Sequence, residues 1–162
     1  MKGLHFILQL TYKKEKKMTK TKKNNTIMIV EDDADDFEAI KRAFNINTIN
    51  NPILHFVNGE DALKFLLKNA TIDKLPELII LDLNMPKTDG RVFLKIVKKD
   101  ARFTNIPIII LTTSLDDNDI EKCYEHGANS YLQKPVKFDE LVESIKQLKE
   151  FWFNDGKIPT KL

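Results

Sequence analysis

The chain has 162 residues, a formal net charge of +2 and 42% hydrophobic residues, enough for one core of ordinary size and too little length for a comfortable second domain. A single cysteine, Cys123, excludes an intramolecular disulfide; no Cys/His cluster has zinc-site spacing, and no apolar run is long enough to span a membrane. Charge is unevenly spread: residues 1–26 carry eight Lys against one Glu, a net of +7, which leaves the rest at −5.

The opening MKGLHFILQL resembles a secretory signal only superficially, because His5 and Gln9 interrupt the apolar run and no small-residue cleavage site follows. The basic stretch after it lacks the aromatic interleaving of a nucleic-acid arm, so residues 1–25 are expected to be a solvated, disordered tail. KKEKK just before Met18 is also what an in-frame reading of a purine-rich ribosome-binding site would give, which would put the start of translation at Met18.

From Thr26 the pattern alternates. TIMIV (26–30) predicts a strand, and DDFEAIKRAF a helix with Phe37, Ile40 and Phe44 on one face. ILHFV (53–57) follows Pro52 as a strand; GEDALKFLLKN (59–69) reads as a helix with Leu63, Leu66 and Leu67 inward. ELIILD is the third strand, and Gly90 precedes a helix striped by Phe93, Leu94 and Val97. IPIIILT (106–112), almost wholly apolar, suits a parallel strand covered on both faces. Ser114 or Asp116 can cap the next helix, where Ile120, Cys123, Tyr124 and Gly127 keep the 3.6 period. NSYLQK is a fifth strand, and FDELVESIKQLKEFW a last helix with Phe138, Leu141, Val142, Ile145, Leu148 and Trp152 on one side.

Five strands alternating with five helices predict an α/β domain over residues 26–153, with a parallel sheet, helices on both faces and right-handed crossovers, followed by a short tail, 154–162. In open sheets of this kind, ligands bind outside the carboxyl ends of the strands. There the polar residues gather: Glu31, Asp32 and Asp33 after the first strand, Asp82 after the third, Thr112, Thr113 and Ser114 at the fourth, and Lys134 at the fifth.

Carboxylates brought that close repel one another and raise each other's pKa unless they share a cation. A hard divalent ion resolves the conflict, and Mg²⁺ prefers one or two carboxylates plus waters, leaving positions open for a phosphate. A carboxylate beside it can act as nucleophile and form an acyl phosphate, with Lys134 and the Thr112 hydroxyl meeting the developing charge. Asp82 therefore ends a buried strand because it is held rigidly at a wet, metal-bearing edge.

IMIVEDDADD, LIILDLNMPKTDG, IPIIILTTS and GANSYLQKPV, in this order and spacing, resemble the receiver domain of two-component response regulators over about residues 27–152. Within that family they resemble the small stand-alone receivers linked to cyanobacterial-type phytochrome kinases. The resemblance implies a flavodoxin-like sheet of strand order 2-1-3-4-5, with Asp82 as phosphoacceptor. It implies Asp32, Asp82 and the backbone carbonyl of Asn84 as Mg²⁺ ligands, with Glu31 reaching the metal through water. By the same resemblance Thr112 and Tyr131 are the switch pair, Lys134 pairs with phosphate, Asn84 and Ser114 tune dephosphorylation, and the Lys134–Pro135 bond is cis. The implied donor is a histidine kinase, of phytochrome type by the narrower resemblance, or a phosphotransfer protein, acting in the cytoplasm. The implied output is a shift of the face built by the fourth helix, fifth strand and fifth helix, read by a protein partner or a homodimer. About ten residues follow Trp152, so no DNA-binding output domain is expected.

Plainer readings compete residue by residue. Glu31, Asp32 and Asp33 taken alone could be helix N-terminal acids. Thr112 could be a strand-end residue without a role, and Tyr131 a half-buried aromatic. Cys123 reads as packing, His126 as a helix-end group, His5 and His55 as residues without partners, and the lysines of KIVKKD as a solvated face. A phosphohydrolase of the haloacid dehalogenase kind also uses a strand-end aspartate, but it needs an acid two residues on, where Asn84 stands. A degenerate receiver that only binds partners would have no physical need for the complete set of Glu31, Asp32, Asp82, Thr112 and Lys134.

Overall fold

The computed structural model describes residues 26–70 and 74–152; the tails expected at 1–25 and 154–162 lie outside the described residues. Strands and helices alternate: β1 (Ile27–Val30), α1 (Ala34–Ile46), β2 (Ile53–Phe56), α2 (Gly59–Lys68), β3 (Leu78–Leu81), α3 (Gly90–Lys99), β4 (Ile108–Thr112), α4 (Asp117–Glu125), β5 (Ser130–Gln133) and α5 (Phe138–Trp152). The five strands pair in parallel in the order β2-β1-β3-β4-β5, in the expected flavodoxin-like arrangement.

Period-2 alternation sorts the strand residues onto two cores. Met28, Val30, Ile79, Leu81, Ile108 and Ile110 face Ala62 and Leu66 of α2, Phe93, Leu94 and Val97 of α3, and Cys123 of α4. Ile27, Ile29, Leu78, Ile80, Ile109 and Leu111 face Ile40 and Phe44 of α1 and Leu141, Ile145 and Leu148 of α5. Because both faces are covered, the three central strands read as unbroken apolar runs.

Four helices start with a side chain that accepts from its own first turn: Asp33 for α1, Asn58 for α2, Asp89 for α3 and Asp116 for α4. Each such cap is worth about 1 kcal/mol, and each closes a short connection leaving the carboxyl end of a strand. Gly90 lets α3 begin close against the segment after Asp82: a Cβ there would lie 2.3 Å from the Asp82 carbonyl oxygen.

Several sequence expectations need correction. Leu67 is 46% exposed, and Ala62 takes its inward place, because α2 turns a narrower face to the sheet. Gly127 does not continue α4; at φ +93° it ends the helix, with its amide donating to Tyr124 O at 2.9 Å and that of Ala128 to Cys123 O at 2.9 Å. The Lys134–Pro135 bond is trans, as are all peptide bonds among the described residues, the form favoured without help from the surroundings. Lys98 of the KIVKKD stretch is not a solvated lysine. It folds under the amino end of the sheet, its Nζ donating to Ile106 O at 2.7 Å, Thr104 O at 3.2 Å and Asn129 Oδ1 at 3.1 Å. No helix among the described residues is long and apolar enough to cross a membrane.

Candidate functional site

The parallel topology brings the carboxyl ends of β1, β3, β4 and β5 to one edge, and the polar residues singled out in the sequence meet there. Glu31 follows β1 and is 2% exposed; Asp82 follows β3 and is 6% exposed. Carboxylate oxygens of Glu31, Asp32 and Asp82 lie within 4.8 Å of one another. Lys134, just past β5, spends its three N–H donors on three carboxylates: Glu31 Oε2 at 2.6 Å, Asp36 Oδ2 at 2.7 Å and Asp82 Oδ2 at 3.1 Å.

The electrostatics follow from burial and neighbours. Burial pushes the Glu31 carboxyl up to about 7, against the opposing pull of the Lys134 ammonium. For Lys134, burial favours the neutral amine, but Asp36, Glu31 and Asp82 together outweigh it and hold the ammonium above the ordinary lysine range. One ammonium among these carboxylates leaves the site with an excess of negative charge. Three carboxylates facing one point form an all-oxygen donor set of the kind that hard divalent ions take, so the residues fit Mg²⁺ or Mn²⁺.

The hydroxyl side of the site comes from β4. Thr112 is fully buried, its Oγ1 accepting from Asn84 Nδ2 at 3.4 Å and from the Ser114 amide at 3.4 Å. Its carbonyl accepts from the Lys134 amide at 2.7 Å, which ties the β4 end to the lysine. Asn84, two residues past Asp82, donates its amide N–H to Asp82 Oδ1 at 3.2 Å. Tyr131 is buried rather than half-buried, with its Oη donating to Ser114 O at 3.1 Å. The Ser114 hydroxyl turns toward α4 and donates to Asp119 Oδ2 at 2.9 Å. Asp33 serves as the α1 cap, accepting from the amides of Asp35 and Asp36, so the plainer reading holds for that acid.

Two participants escaped the sequence reading. Asp36, in the first turn of α1, accepts a hydrogen bond from Lys134 Nζ; its place in the acidic run EDDADD after β1 was the available signal. His55, expected to lack a partner, stacks on Phe37 with ring centroids 3.6 Å apart and places Nε2 2.8 Å from Glu31 O. Its role depends on pairing of β1 with β2, which no local pattern reveals. His126 and Cys123 match expectation: His126 Nδ1 lies 2.5 Å from Lys122 O at the end of α4, and the buried Cys123 thiol is pushed up to about 11 by burial.

Comparison with known proteins agrees with this geometry. The model of the response regulator receiver domain matches residues 27–146. The probable methanogenesis regulatory protein FilR2 of Methanothrix harundinacea is 35% identical over 82% of this chain and 86% of its own length. Response regulator Rcp1 of Synechocystis is 31% identical over 82% of this chain and 92% of its own length, and the crystal structure of its Mn²⁺-bound form superposes with a TM-score of 0.74 at 30% identity, covering 84% of this chain and 99% of that one. The crystal structure of the phosphorylated cyanobacterial phytochrome response regulator RcpA superposes with a TM-score of 0.75 at 32% identity, covering 85% of this chain and 99% of that one. With the sheet order, the acidic cluster and these matches in agreement, the chain belongs to the response regulator receiver domain family.

Proposed function

We propose that this receiver accepts a phosphoryl group on Asp82 from a histidine kinase or phosphotransfer protein, with Mg²⁺, and signals in the cytoplasm through its α4-β5-α5 face. The observation that carries the reading is the convergence of Glu31, Asp32, Asp82 and Lys134 at one strand edge. Asp32, Asp82 and the Asn84 carbonyl would hold Mg²⁺, with Glu31 behind them, and the ion would supply charge neutralisation for the carboxylates and for the transferring group. Asp82, rigid at the end of β3, offers a carboxylate oxygen to phosphorus. The new bond is carboxylate O–P, the bond broken is the donor's P–N or P–O, and the electron pair leaves with the donor imidazole or carboxylate. Lys134 Nζ hydrogen-bonds the phosphoryl oxygens, and Thr112 Oγ1 donates to another.

The signal then travels through Thr112 and Tyr131, which already share the Ser114 segment. A change at the phosphoryl group biases that segment and with it the start of α4. A protein partner or a second copy reads the face. Phe151 and Trp152 at the end of α5, half-buried and in edge-to-face contact at 5.1 Å, are part of the surface proposed for this. The chemistry is self-phosphorylation and autodephosphorylation, not turnover of external phosphate esters: Asn84 occupies the position where a phosphohydrolase needs its acid.

Intact-protein mass after incubation with Mg²⁺ and acetyl phosphate tests the reading. Wild type is expected to gain one phosphoryl group, while Asp82→Asn and a chelated sample gain none. A wild type that stays unmodified while another receiver is phosphorylated alongside it overturns the proposal.

A further inference from the structure

A second polar arrangement runs from α3 to α4. Arg91, the second residue of α3, sends Nε to Asp119 Oδ1 at 2.7 Å and one terminal nitrogen to Asp119 Oδ2. Its other terminal nitrogen reaches Asp89 Oδ1 at 3.1 Å and Oδ2 at 3.2 Å. Asp119 Oδ2 also takes the Ser114 hydroxyl at 2.9 Å. Ser114 in turn donates its amide N–H to Thr112 Oγ1, and its carbonyl accepts from Tyr131 Oη.

Two loops are thereby joined. The start of α3 is fixed against the segment that carries Asp82, because Gly90 packs on the Asp82 and Leu83 backbone. The loop after Thr112 has little apolar anchoring of its own, since Thr113, Leu115 and Asp116 are all exposed. A planar guanidinium gripping one carboxylate with two parallel bonds fixes direction as well as distance, in a way that a single point charge does not. The Arg91 to Asp119 ion pair, partly shielded from water, is thus placed to hold the Ser114 segment at a set distance from the Asp82 segment. Arg91 is held above its ordinary range and Asp119 below its own, each chiefly by the bond to the other.

Resting on the reading of Asp82 as phosphoacceptor, we infer that Arg91 and Asp119 are positioning residues for phosphoryl transfer. Acting through Ser114, they strap the Thr112 hydroxyl to the site and Tyr131 to its inward position. Neither touches the reacting atoms.

The test uses the full chain and three variants: Arg91→Gln, Asp119→Asn, and Ser114→Ala, which cuts the link without touching the ion pair. The maximal rate of Asp82 phosphorylation by acetyl phosphate at saturating Mg²⁺ is expected to fall about tenfold in each, with the donor concentration for half-maximal rate unchanged, as befits a misplaced rather than a missing group. On a Thr112→Ala background, Arg91→Gln is expected to add less than about twofold, because the group it positions is already gone. Arg91→Lys, which keeps the charge and loses the two-pronged grip, falls between.

A second readout needs no phosphate. Burial, partly offset by the bond to Ser114, holds the Tyr131 phenol above the ordinary tyrosine value. In Arg91→Gln and Asp119→Asn its ionisation, followed by NMR of ring-labelled tyrosine, is expected to move toward that value while circular dichroism stays native. Wild-type rates in these variants, full additivity with Thr112→Ala, or an unmoved Tyr131 titration would each overturn the inference. A wild type that takes no phosphoryl group overturns the reading of Asp82 instead, and the Tyr131 titration then decides the strap alone.

Discussion

Two lysines sit at opposite edges of the same sheet. At the carboxyl edge Lys134 is surrounded by carboxylates and is held as a strong cation. At the amino edge Lys98 meets only neutral oxygens, from Ile106, Thr104 and Asn129, and burial lowers its pKa to about 8. Both are substantially buried, so burial alone does not decide what a lysine does. The charge of the partners decides: carboxylates make the first a working counter-ion, and carbonyls make the second a clamp between the approaches to β4 and β5.

The most severe way to break this comparison is Lys134→Met. Leaving Glu31 and Asp82 buried without their counter-ion is expected to cost the metal-free protein about 3 kcal/mol and to slow phosphorylation by about a hundredfold. Urea unfolding with and without Mg²⁺ checks the first part, since a metal that replaces the missing charge is expected to restore most of the stability.

Lys98→Met is the matching cut at the other edge. It leaves Ile106 O and Thr104 O short of a donor at a cost of roughly 1–2 kcal/mol, while the rate of phosphorylation stays that of wild type. A rate change as large as that of Lys134→Met would show the two edges to be coupled rather than independent.

The comparison sharpens with pH. Lys98 has a depressed folded-state pKa, so between about pH 8 and its ordinary value of 10.5 the unfolded chain binds the extra proton, and stability rises with pH. Relative to Lys98→Met, wild type is expected to gain on the order of 1 kcal/mol from pH 7.5 to 10 in paired denaturation curves. Glu31 has the opposite shift, raised to about 7, so its contribution is complete below about 4.5 and lost as pH rises through 7. Titration calorimetry is therefore expected to find Mg²⁺ affinity rising severalfold from pH 6 to 8 with proton release, and a flat profile in Glu31→Gln.

The smallest expected effect is at Asp36. Its carboxylate is 45% exposed, so Asp36→Asn is expected to change stability by less than about 1 kcal/mol, in a salt-dependent way.

How much of this was legible depends on distance along the chain. Asp82 was legible because an apolar run ending in a carboxylate is unusual within a single stretch, and Asp33 and Asp116 because caps act on their own next turn. The pairings of His55 with Glu31, Arg91 with Asp119 and Lys98 with Asn129 were not, since they join residues 24 to 31 apart across a crossover, and the nearer Lys98 partners, Thr104 and Ile106, are backbone carbonyls that carry no sequence signal. Leu67 was misplaced because a 3.6 period admits more apolar positions than one helix face can bury.

The sequence by itself determined the alternation of strands and helices, the two-sided core and the set of polar residues at the strand ends, because apolar period and capping are local properties. Only the tertiary structure decided that Lys134 divides itself among three carboxylates, that Lys98 is a clamp, and that Arg91 joins the two loops of the site. Those outcomes depend on which strand lies beside which, and on the few ångströms that separate a hydrogen bond from none.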